Sequence, residues 1–477
     1  MHKNSTKRTF PDKPMKSDAS TSPNPLGYEK LTKLLRSYAV PSVIAMLVSS
    51  MYNIVDQIFI GQGVGYLGNA ATNVVFPLTT ICLTFSLLIG VGSAIRVSLA
   101  LGSERREEAA KIAGNAFVLI AAVGLLYLAV IQLFCRPLLT LFGATAEVMP
   151  YAETYMRITA LGMPLLIAIN AGSQLIRADG SPRYSMVCNA AGAVINTILD
   201  PLFIFGLDMG IAGAAWATVI SQAVSFAIAV AYIPRFKQIR LSSTHLRFSL
   251  SETGKMAAFG MSHSVTQLSL TLVQIVLNNA LTRYGAMSEY GSEIPLAACG
   301  IVLKINAVLI GIIIGISQGA QPIMSFNYGA GKYNRVRKIY LLAVACDIAA
   351  ATAGFLILQL FPRQIISLFG TGDELYFEFA VRFLRTYLLM LPLNGVQMIS
   401  SNFFSATGKP AVGAFLSLSR QVLLTIPGIL ILSAVWGLDG ILFAAPIADF
   451  TAFALSAAFV AVRFARMRRA EKTNTAV

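Results

Sequence analysis

Four polar residues inside apolar stretches have the spacing and the chemistry of a cation site. Asn196 and Asp200 are four residues apart, so their amide and carboxylate share one face of a helix. A second carboxylate, Asp56, and a hydroxyl, Thr218, lie in other apolar stretches. Carboxylate, amide and hydroxyl oxygens are hard ligands that suit Na⁺ or a proton and not zinc. We therefore predict that these four residues form a binding site for Na⁺ or H⁺.

The pair of aspartates is the strongest part of this prediction. Two like charges in a low-dielectric setting cannot both stay ionised unless a cation or a proton binds between them. For the amide or the hydroxyl alone, a network of hydrogen bonds between packed helices is the more common explanation. Pro201 follows Asp200 and removes one backbone hydrogen bond, which can bend the helix beside the site. The sequence leaves the choice between Na⁺ and H⁺ open.

Other charges inside apolar stretches are also candidates for function, because the bilayer makes them costly. Asp347 and Asp449 lie in the second half of the chain, and they are candidates for a second protonation site. The alternative is that they form ion pairs with basic residues of the same half. The basic residues available there are Lys304, Arg385 and Arg420.

A substrate cleft in the first half would need an adaptable apolar surface. Aromatic faces attract cationic groups, and methionine side chains adapt to varied shapes. Tyr52 lies four residues before Asp56 and therefore on the same helix face. The side chains that we expect to line such a cleft are Tyr52, Phe76, Tyr155, Met163 and Asn170.

The sequence offers little support for an enzyme, a metalloprotein or a nucleic-acid-binding protein. The five cysteines include no CxxC pair, and the three histidines form no cluster with metal-ligand spacing. The Gly-Lys at 331–332 lacks the spacing of a phosphate-binding loop, and no strand precedes it. The net charge of +15 lies mainly in tails and loops between apolar stretches. We expect no enzymatic activity, no cofactor and no nucleic-acid partner.

Composition places most of the chain in a bilayer. Hydrophobic residues make up 56% of the 477 residues and charged residues only 12%, about half the usual share for a soluble domain. A membrane span needs about 20 apolar residues. We predict an all-α polytopic membrane protein with twelve transmembrane helices. The predicted spans are 37–62, 70–101, 114–135, 151–176, 184–206, 211–233, 256–282, 295–324, 337–361, 376–400, 410–435 and 438–462.

The loops between these spans alternate in charge. The tails and every second loop hold 28 of the 37 Lys and Arg residues, and the loops on the other side hold three. Positively charged loops stay in the cytoplasm, so both termini are predicted to be cytoplasmic in a plasma (cell inner) membrane. Residues 1–36 are polar and lack an apolar signal region, which predicts a disordered cytoplasmic tail. Residues 463–477 are predicted to form a basic cytoplasmic tail.

The chain contains an internal repeat. Gly102–Ile112 resembles Gly329–Ile339 at an offset of 227 residues, and Leu-Phe-Gly followed by Glu recurs at the same offset. Each half has six spans and the same orientation, which predicts a parallel repeat related by a pseudo-two-fold axis along the membrane normal. We predict an N-lobe at 37–233, a linker at 234–255 and a C-lobe at 256–462. Rocking of two such lobes gives alternating access.

The motifs resemble those of the multidrug and toxic compound extrusion (MATE) transporters over nearly the whole chain, from about residue 30 to 465. The segments that carry the resemblance are Tyr52–Gly61 with Pro41, Ile176–Gly180, Asn196–Pro201, Gly210–Thr218, Gln318–Pro322 and Asn327–Gly329. The resemblance implies a twelve-helix, two-lobed antiporter. It also implies export of organic cations and other xenobiotics in exchange for Na⁺ or H⁺.

Within that family, the chain is more similar to the DinF-like branch and to MepA-type bacterial multidrug pumps. That branch has a cation site in its N-terminal lobe, which the resemblance carries onto the four residues of the predicted site. The NorM-like branch has a glutamate on its seventh helix. This chain has Ser262, His263 and Gln267 there and no acid, so the resemblance implies no cation site of the NorM type in the C-lobe.

Two other classes of membrane protein are less consistent with the sequence. A flippase for lipid-linked precursors resembles this family in fold but would need a strongly basic cleft for a pyrophosphate, whereas interior basic residues are few here. A passive channel is disfavoured because the two halves differ in charge. We therefore expect a secondary antiporter that functions as a monomer. Its partners are expected to be a small organic cation or other xenobiotic and membrane lipid.

Overall fold

The computed structural model describes residues 24–368 and 373–474, and the regular structure of that part is helical. In hydrocarbon every backbone N–H and C=O must be satisfied within the chain, which a helix achieves along its whole length. The first half folds into six long helices. They are α1 (Leu31–Gly63), α2 (Tyr66–Gly102), α3 (Arg106–Leu141), α4 (Met149–Ala178), α5 (Pro182–Pro201) and α6 (Gly210–Val230).

The second half is divided into more helices within the described residues, because two of its passes are interrupted. They are α7 (Leu250–Gly285), α8 (Glu293–Gly329), α9 (Tyr333–Leu360), α10 (Pro362–Ser367), α11 (Glu374–Tyr387), α12 (Leu391–Ala406), α13 (Pro410–Leu418), α14 (Ile426–Trp436) and α15 (Leu438–Asn474). A wider helical turn at Ser419–Thr425 joins α13 to α14.

Each of the twelve predicted spans has a helical counterpart, which confirms the all-α polytopic fold. Ten helical segments of the described chain are long and apolar enough to cross a membrane. The two passes outside that set are α7 and the pair α11–α12. The predicted span at 376–400 corresponds to two helices, because α11 ends at Tyr387 and α12 begins at Leu391. Pro392 lies in the first turn of α12. A backbone N–H at that position has no acceptor within the helix, so a proline there costs no helical hydrogen bond.

The predicted tail boundaries need correction. Residues 1–23 of the predicted disordered tail lie outside the described residues, but α1 begins at Leu31 and Leu26 is buried. At the other end, α15 continues to Asn474, so the segment predicted as a basic tail from residue 463 is helical as far as it is described. The linker is also shorter than predicted, because α7 begins at Leu250.

The helices form two lobes, α1–α6 and α7–α15. In the first lobe α4 packs against α2, α3 and α6, and α1 packs against α5; in the second, α12 packs against α8, α9, α13 and α15. The lobes meet where α1 lies along α8 and α2 lies along α7 and α8. We call the end of the bundle that carries the α2–α3, α4–α5, α6–α7, α8–α9 and α12–α13 loops the basic face, and the other end the opposite face.

Small residues allow the two lobes to approach closely near the basic face. A Cβ added to Gly319 of α8 would lie 2.5 Å from the Cα of Ala39 on α1, and one added to Gly315 would lie 2.6 Å from the Cα of Val43. A Cβ on Gly92 of α2 would likewise overlap the α7 backbone. Small residues are the usual means of close helix packing in membranes, because they let two backbones touch. These contacts lie in the halves of the helices nearest the basic face.

The segment before α1 crosses to the second lobe. The carbonyl of Leu26 accepts hydrogen bonds from Asn327 of α8 at 2.9 Å and from Arg335 of α9 at 3.2 Å. Arg335 also donates to the carbonyl of Glu29 at 2.7 Å, and Lys332 donates to the carbonyl of Gly27 at 3.0 Å. We call residues 24–30 the N-terminal strap.

The segment before α7 crosses in the opposite sense, to the first lobe. The N–H of Ser249 donates to the side-chain oxygen of Asn115 on α3 at 2.8 Å. His245 lies 3.1 Å from Glu107, also on α3. The segment that precedes each half therefore packs against the other lobe at the basic face. This arrangement agrees with the internal repeat, and its hydrogen bonds connect the two lobes.

Candidate functional site

Three helices of the first lobe bring the four predicted cation ligands together. The side-chain N–H₂ of Asn196 on α5 donates to Asp200 at 3.2 Å and to the hydroxyl of Thr218 on α6 at 3.4 Å. The carboxyl of Asp56 on α1 lies within hydrogen-bonding reach of that of Asp200. All four side chains are buried. The structure thus places these residues in one cluster inside the lobe, as the spacing predicts.

The local chain geometry explains why α5 and α6 meet at this point. Pro201 has no N–H to donate, and the chain continues through a wider turn at Leu202–Gly206. Gly210 then adopts a φ of +55°, a conformation that favours glycine, and begins α6. The chain reverses over a short distance, so Thr218 returns to the level of Asn196.

The cluster has more acceptor oxygens than donors. One oxygen of Asp56, one of Asp200 and the side-chain oxygen of Asn196 are buried and have no hydrogen-bond partner among the described residues. Among the residues that the structure describes, no Lys or Arg forms an ion pair with Asp56 or Asp200. Buried carboxylates without a counter-charge are strongly disfavoured, so the site requires a proton or a cation. The free oxygens come from three different side chains that already contact one another, which is an arrangement that can hold a small hard cation.

Aromatic and apolar side chains surround the cluster. Tyr52 and Tyr155 lie beside the cluster, and Tyr155 also packs against a small apolar cluster that includes Ile60 and Ile204. That cluster lies between the site and the opposite face. The apolar surroundings keep the local dielectric low, which strengthens the interaction of a bound ion with its ligands.

The structure separates the five side chains that are expected to line a substrate cleft. Tyr52 and Tyr155 lie at the cation cluster, Phe76 is exposed, and Asn170 is half-buried with its N–H₂ on the carbonyl of Leu166. The prediction for Met163 is wrong for this conformation. Its side chain is buried in the core of the first lobe, because the helix face that carries it packs inward.

The interior charges of the second lobe are arranged differently. Arg420 donates to Asp449 at 2.7 Å, and Asn394 of α12 donates to the same carboxylate at 3.2 Å. The ion-pair interpretation is therefore confirmed for Asp449, which leaves it a poor candidate for a protonation site. Arg385 donates to a backbone carbonyl and not to an acid, and Lys304 is exposed. Asp347 has no partner among the described residues.

Two polar contacts between the lobes were not predicted from the sequence. Arg96 of α2 pairs with Glu252 of α7, and Arg177 at the end of α4 reaches Gln318 of α8. In the sequence, Arg177 directly follows the predicted span 151–176 and therefore falls among the loop charges. The available signal was its position in Ile176–Gly180, one of the segments that carry the family resemblance.

Asp179, in that same segment, holds the linker in place. It is fully buried and accepts hydrogen bonds from the backbone N–H groups of Lys237 and Gln238 at 2.7 and 2.8 Å and from the hydroxyl of Tyr232 at 2.9 Å. Burial raises the pKa of the Asp179 carboxyl, and these donors partly oppose the increase. The residue fixes the path of the chain between the lobes.

A two-lobed bundle of membrane-spanning helices with a buried acidic site in one lobe is typical of secondary membrane transporters. The chain belongs to the MatE family, whose model matches residues 41–202 and 264–431. The two matched segments fall one in each lobe, which agrees with the internal repeat. Proteins of this family are transporters and not enzymes.

Curated relatives match most of the chain. It is 26% identical to the FAD transporter of Shewanella oneidensis over 430 residues, which cover 87% of this chain and 91% of the relative. It is also 26% identical to the multidrug export protein MepA of Staphylococcus aureus over 430 residues, with 87% and 90% covered. The two relatives have different named substrates at the same level of identity.

Solved structures share the fold. A multidrug resistance MATE family transporter of the MOP superfamily, solved in an outward-facing conformation, superposes with a TM-score of 0.87 at 22% identity. It covers 93% of this chain and 98% of its own. A MOP superfamily transporter from Pyrococcus furiosus, described as having a binding pocket of reverse polarity, superposes with a TM-score of 0.86 at 22% identity and the same coverage.

Proposed function

We propose that the protein is a secondary antiporter that exports organic cations and other small xenobiotics across the plasma membrane in exchange for Na⁺ or H⁺. The observation that carries this proposal is the pair Asp56 and Asp200. These carboxyls are buried side by side, have no basic partner among the described residues, and each retains an unsatisfied oxygen. Such a pair binds a proton or cation and is repelled into a new arrangement when it loses one.

The coupling ion acts through this repulsion. A bound Na⁺ or H⁺ lets α1 and α5 pack against each other at the site. Loss of the ion leaves two like charges together, so the helices separate and the lobe changes shape. Pro41 in α1 and the wide turn after Pro201 are places where such a change can be absorbed. Binding of the substrate and binding of the ion then favour different lobe shapes.

The conformation described corresponds to one end of the transport cycle. The tight glycine contacts, the pair of Arg96 with Glu252, the N-terminal strap and the segment before α7 all lie toward the basic face. The excess of Lys and Arg on that side indicates that it faces the cytoplasm, so the closed side is the inner one. We infer that the inter-lobe cleft is open to the outside here.

The membrane potential drives the exchange only when net charge crosses. One elementary charge that crosses 100 mV contributes about 2.3 kcal/mol, which corresponds to about fiftyfold accumulation and applies to a neutral substrate exchanged for one ion. Exchange of one monovalent organic cation for one Na⁺ or H⁺ moves no net charge, so the concentration gradient of the coupling ion drives it. Na⁺ and H⁺ are both compatible with two carboxylates, one amide and one hydroxyl.

The acidic site favours positively charged substrates. The relatives named above differ in substrate, so similarity alone does not select one. The N-lobe combines Asp56 and Asp200 with Tyr52 and Tyr155, and aromatic faces beside negative charge attract organic cations. An anionic dinucleotide would instead need basic residues in the cleft. We therefore favour organic cations, transported by a monomer in contact with membrane lipid.

The deciding experiment measures ethidium efflux from proteoliposomes with Na⁺ and pH gradients imposed separately. Efflux driven by Na⁺ alone assigns the four-residue site to sodium, and efflux driven by the pH gradient alone assigns it to protons. Asp56→Asn and Asp200→Asn are expected to abolish coupled efflux. Asp208→Asn is the matched control, because Asp208 is exposed and its φ of +53° is well tolerated by Asn. Absence of efflux under both gradients would contradict the proposal.

A further inference from the structure

Asp347, on α9, is a buried acid without a hydrogen-bond partner. It is 0% exposed, and neither carboxyl oxygen has a partner in the described part of the chain. The other interior acid of the second lobe, Asp449, is paired with Arg420 and also accepts from Asn394. Pairing therefore explains the burial of Asp449 but not the burial of Asp347.

A single glycine of α12 makes the space for the carboxyl. A Cβ added to Gly395 would overlap the carboxyl carbon and both oxygens of Asp347. The α12 backbone thus lies directly against the carboxyl, and any side chain at position 395 would displace it. Asn394, the residue before this glycine, donates to Asp449. Two adjacent residues of α12 therefore contact the two interior acids of the lobe.

The charged groups on the helices packed against α9 bond elsewhere or are exposed. Those helices are α1, α8, α10, α11, α12 and α15. The engaged groups are Lys33 with Glu29, Asp56 with Asp200, Arg363 with Glu374, Arg382 with Asp439, Arg385 with the carbonyl of Gln359, Asp449 with Arg420, Arg463 with Tyr328, and Glu471 with Arg337. The exposed groups are Arg36, Glu293, Lys304, Glu378, Arg466, Arg468 and Arg469. Among the described residues, none of these groups supplies Asp347 with a counter-charge.

A carboxylate ion without a donor or a counter-charge is strongly disfavoured in an apolar interior, so the group takes up a proton. A hard metal cation would need several oxygen ligands to replace its hydration shell, and a single carboxyl cannot provide them. We propose that Asp347 is a proton-binding site of the second lobe, distinct from the ion site at Asp56 and Asp200, and that it is loaded in this conformation. The inference rests on the proposed antiport function, to which it adds a second ion-coupled position.

The interruption before α12 provides a means of unloading the site. α11 ends at Tyr387 and α12 begins at Leu391, four residues before Gly395. A change of angle at this break moves Gly395 away from Asp347 and admits water to the carboxyl. The O–H bond of the acid then breaks, and the proton passes to water on the side that the cleft faces. Reloading on the other side restores the neutral acid, so one proton crosses in each cycle.

The first test reads the proton directly and does not require transport. Infrared spectra of the purified protein are recorded as a function of pH, and the carbonyl stretch of protonated carboxylic acids is followed. We expect Asp347→Asn to remove one such band, and we expect that band to decrease in the wild type as pH rises or as substrate binds. Asp373→Asn is the matched control, because Asp373 is exposed and caps α11, a role that Asn also fills.

The second test counts protons exported or imported per ethidium molecule in proteoliposomes. Asp347→Asn is expected to lower the ratio by one proton while efflux driven through the N-lobe site continues. Asp347→Ser gives a second neutral variant in case the first folds poorly. A band that never changes with pH or substrate, together with an unaltered proton ratio, means that the acid is only a neutral packing group and overturns the inference. Absence of efflux in the wild type itself counts instead against the proposed antiport function.

Discussion

The guanidinium of Arg177 donates a 2.7 Å hydrogen bond to the side-chain oxygen of Gln318 and so joins α4 of the first lobe to α8 of the second. Both side chains are buried, at 4% and 6% exposure. Arg177 also donates to Gln174 at 3.2 Å, and no carboxylate pairs with it in the described residues. The Nε of Arg177 has no partner among the described residues, so the guanidinium depends on these two amide oxygens and keeps the second one only while both lobes stay together. This contact therefore couples closure of the basic face to the hydrogen bonding of one arginine.

Removing the amide from the second lobe should favour opening of the basic face. Gln318→Leu keeps a side chain of similar size but leaves Arg177 with Gln174 alone. A buried donor left unsatisfied costs about 1–3 kcal/mol, so the closed form should lose about 5- to 160-fold in relative population. Gln364→Leu, at an exposed position on α10, is the control.

Spin labels can report this population. Lys111 on α3 and Lys338 on α9 are exposed, lie near the basic face, and belong to different lobes. With cysteine at both positions and Cys346→Ser to remove the exposed native thiol, the distance distribution should shift to longer values in Gln318→Leu only. An unchanged distribution would mean that the hydrogen bond does not contribute to closure.

The hydroxyl of Thr218 should contribute to ion affinity without being essential. It accepts from Asn196 at 3.4 Å and is one of the predicted oxygen ligands. Thr218→Val preserves shape and removes the oxygen, which we expect to weaken binding of the coupling ion by about five- to tenfold, given about 1 kcal/mol for one such interaction. The ion concentration at half-maximal ethidium efflux measures this change.

A suitable control for that substitution lies on the neighbouring helix. Thr197 is half-buried, one residue after Asn196, and donates to the carbonyl of Ala193 within its own helix at 2.8 Å. Thr197→Val makes the same chemical change next to the site but removes no candidate ligand. Equal effects of the two valine substitutions would count against Thr218 as a ligand.

The close contact of Gly319 with Ala39 should be intolerant of any side chain. Gly319→Ala would place a methyl group 2.5 Å from the Ala39 Cα, so the lobes must separate locally. Overpacking of this kind costs about 1–3 kcal/mol, and we expect a lower thermal unfolding temperature in detergent. Gly172→Ala is the matched control in a helix of the first lobe, because a Cβ there meets nothing within 4 Å. It should be neutral or stabilising by up to about 1 kcal/mol.

Features that depend on spacing within one helix were predictable, and features that depend on packing were not. Asn196 and Asp200 share a face because they are one turn apart, so their meeting with Asp56 and Thr218 required only that the helices converge. Their role as ion ligands stays a prediction. Met163 illustrates the limit, because its apolar neighbours in sequence do not reveal which face of α4 packs inward.

Interruptions of helices were also invisible to an analysis of apolar length. The residues around 388–390 are as apolar as the spans on either side, and only Pro392 gives a local signal. The ion pair of Asp449 with Arg420 was one of the predicted alternatives, because both charged residues can be recognised in the sequence. The lack of a hydrogen-bond partner for Asp347 was not predictable from the sequence. It depends on how closely the α12 backbone at Gly395 approaches the carboxyl and on the absence of nearby donors among the described residues.

The N-terminal strap should open more readily when its buried side chain, Leu26, is shortened. Leu26 is 1% exposed and anchors the strap against α8, while its carbonyl accepts from Asn327 and Arg335. Leu26→Ala is expected to lower the free energy of strap opening by about 2–4 kcal/mol. Hydrogen exchange of the backbone amides in residues 24–30 should then become faster, with little change in the helices of the first lobe. Tyr28→Ala, at a position that is 56% exposed, should leave exchange nearly unchanged. Equal acceleration in both variants would show that the strap is held by its backbone hydrogen bonds alone, and the side chain of Leu26 would have no anchoring role.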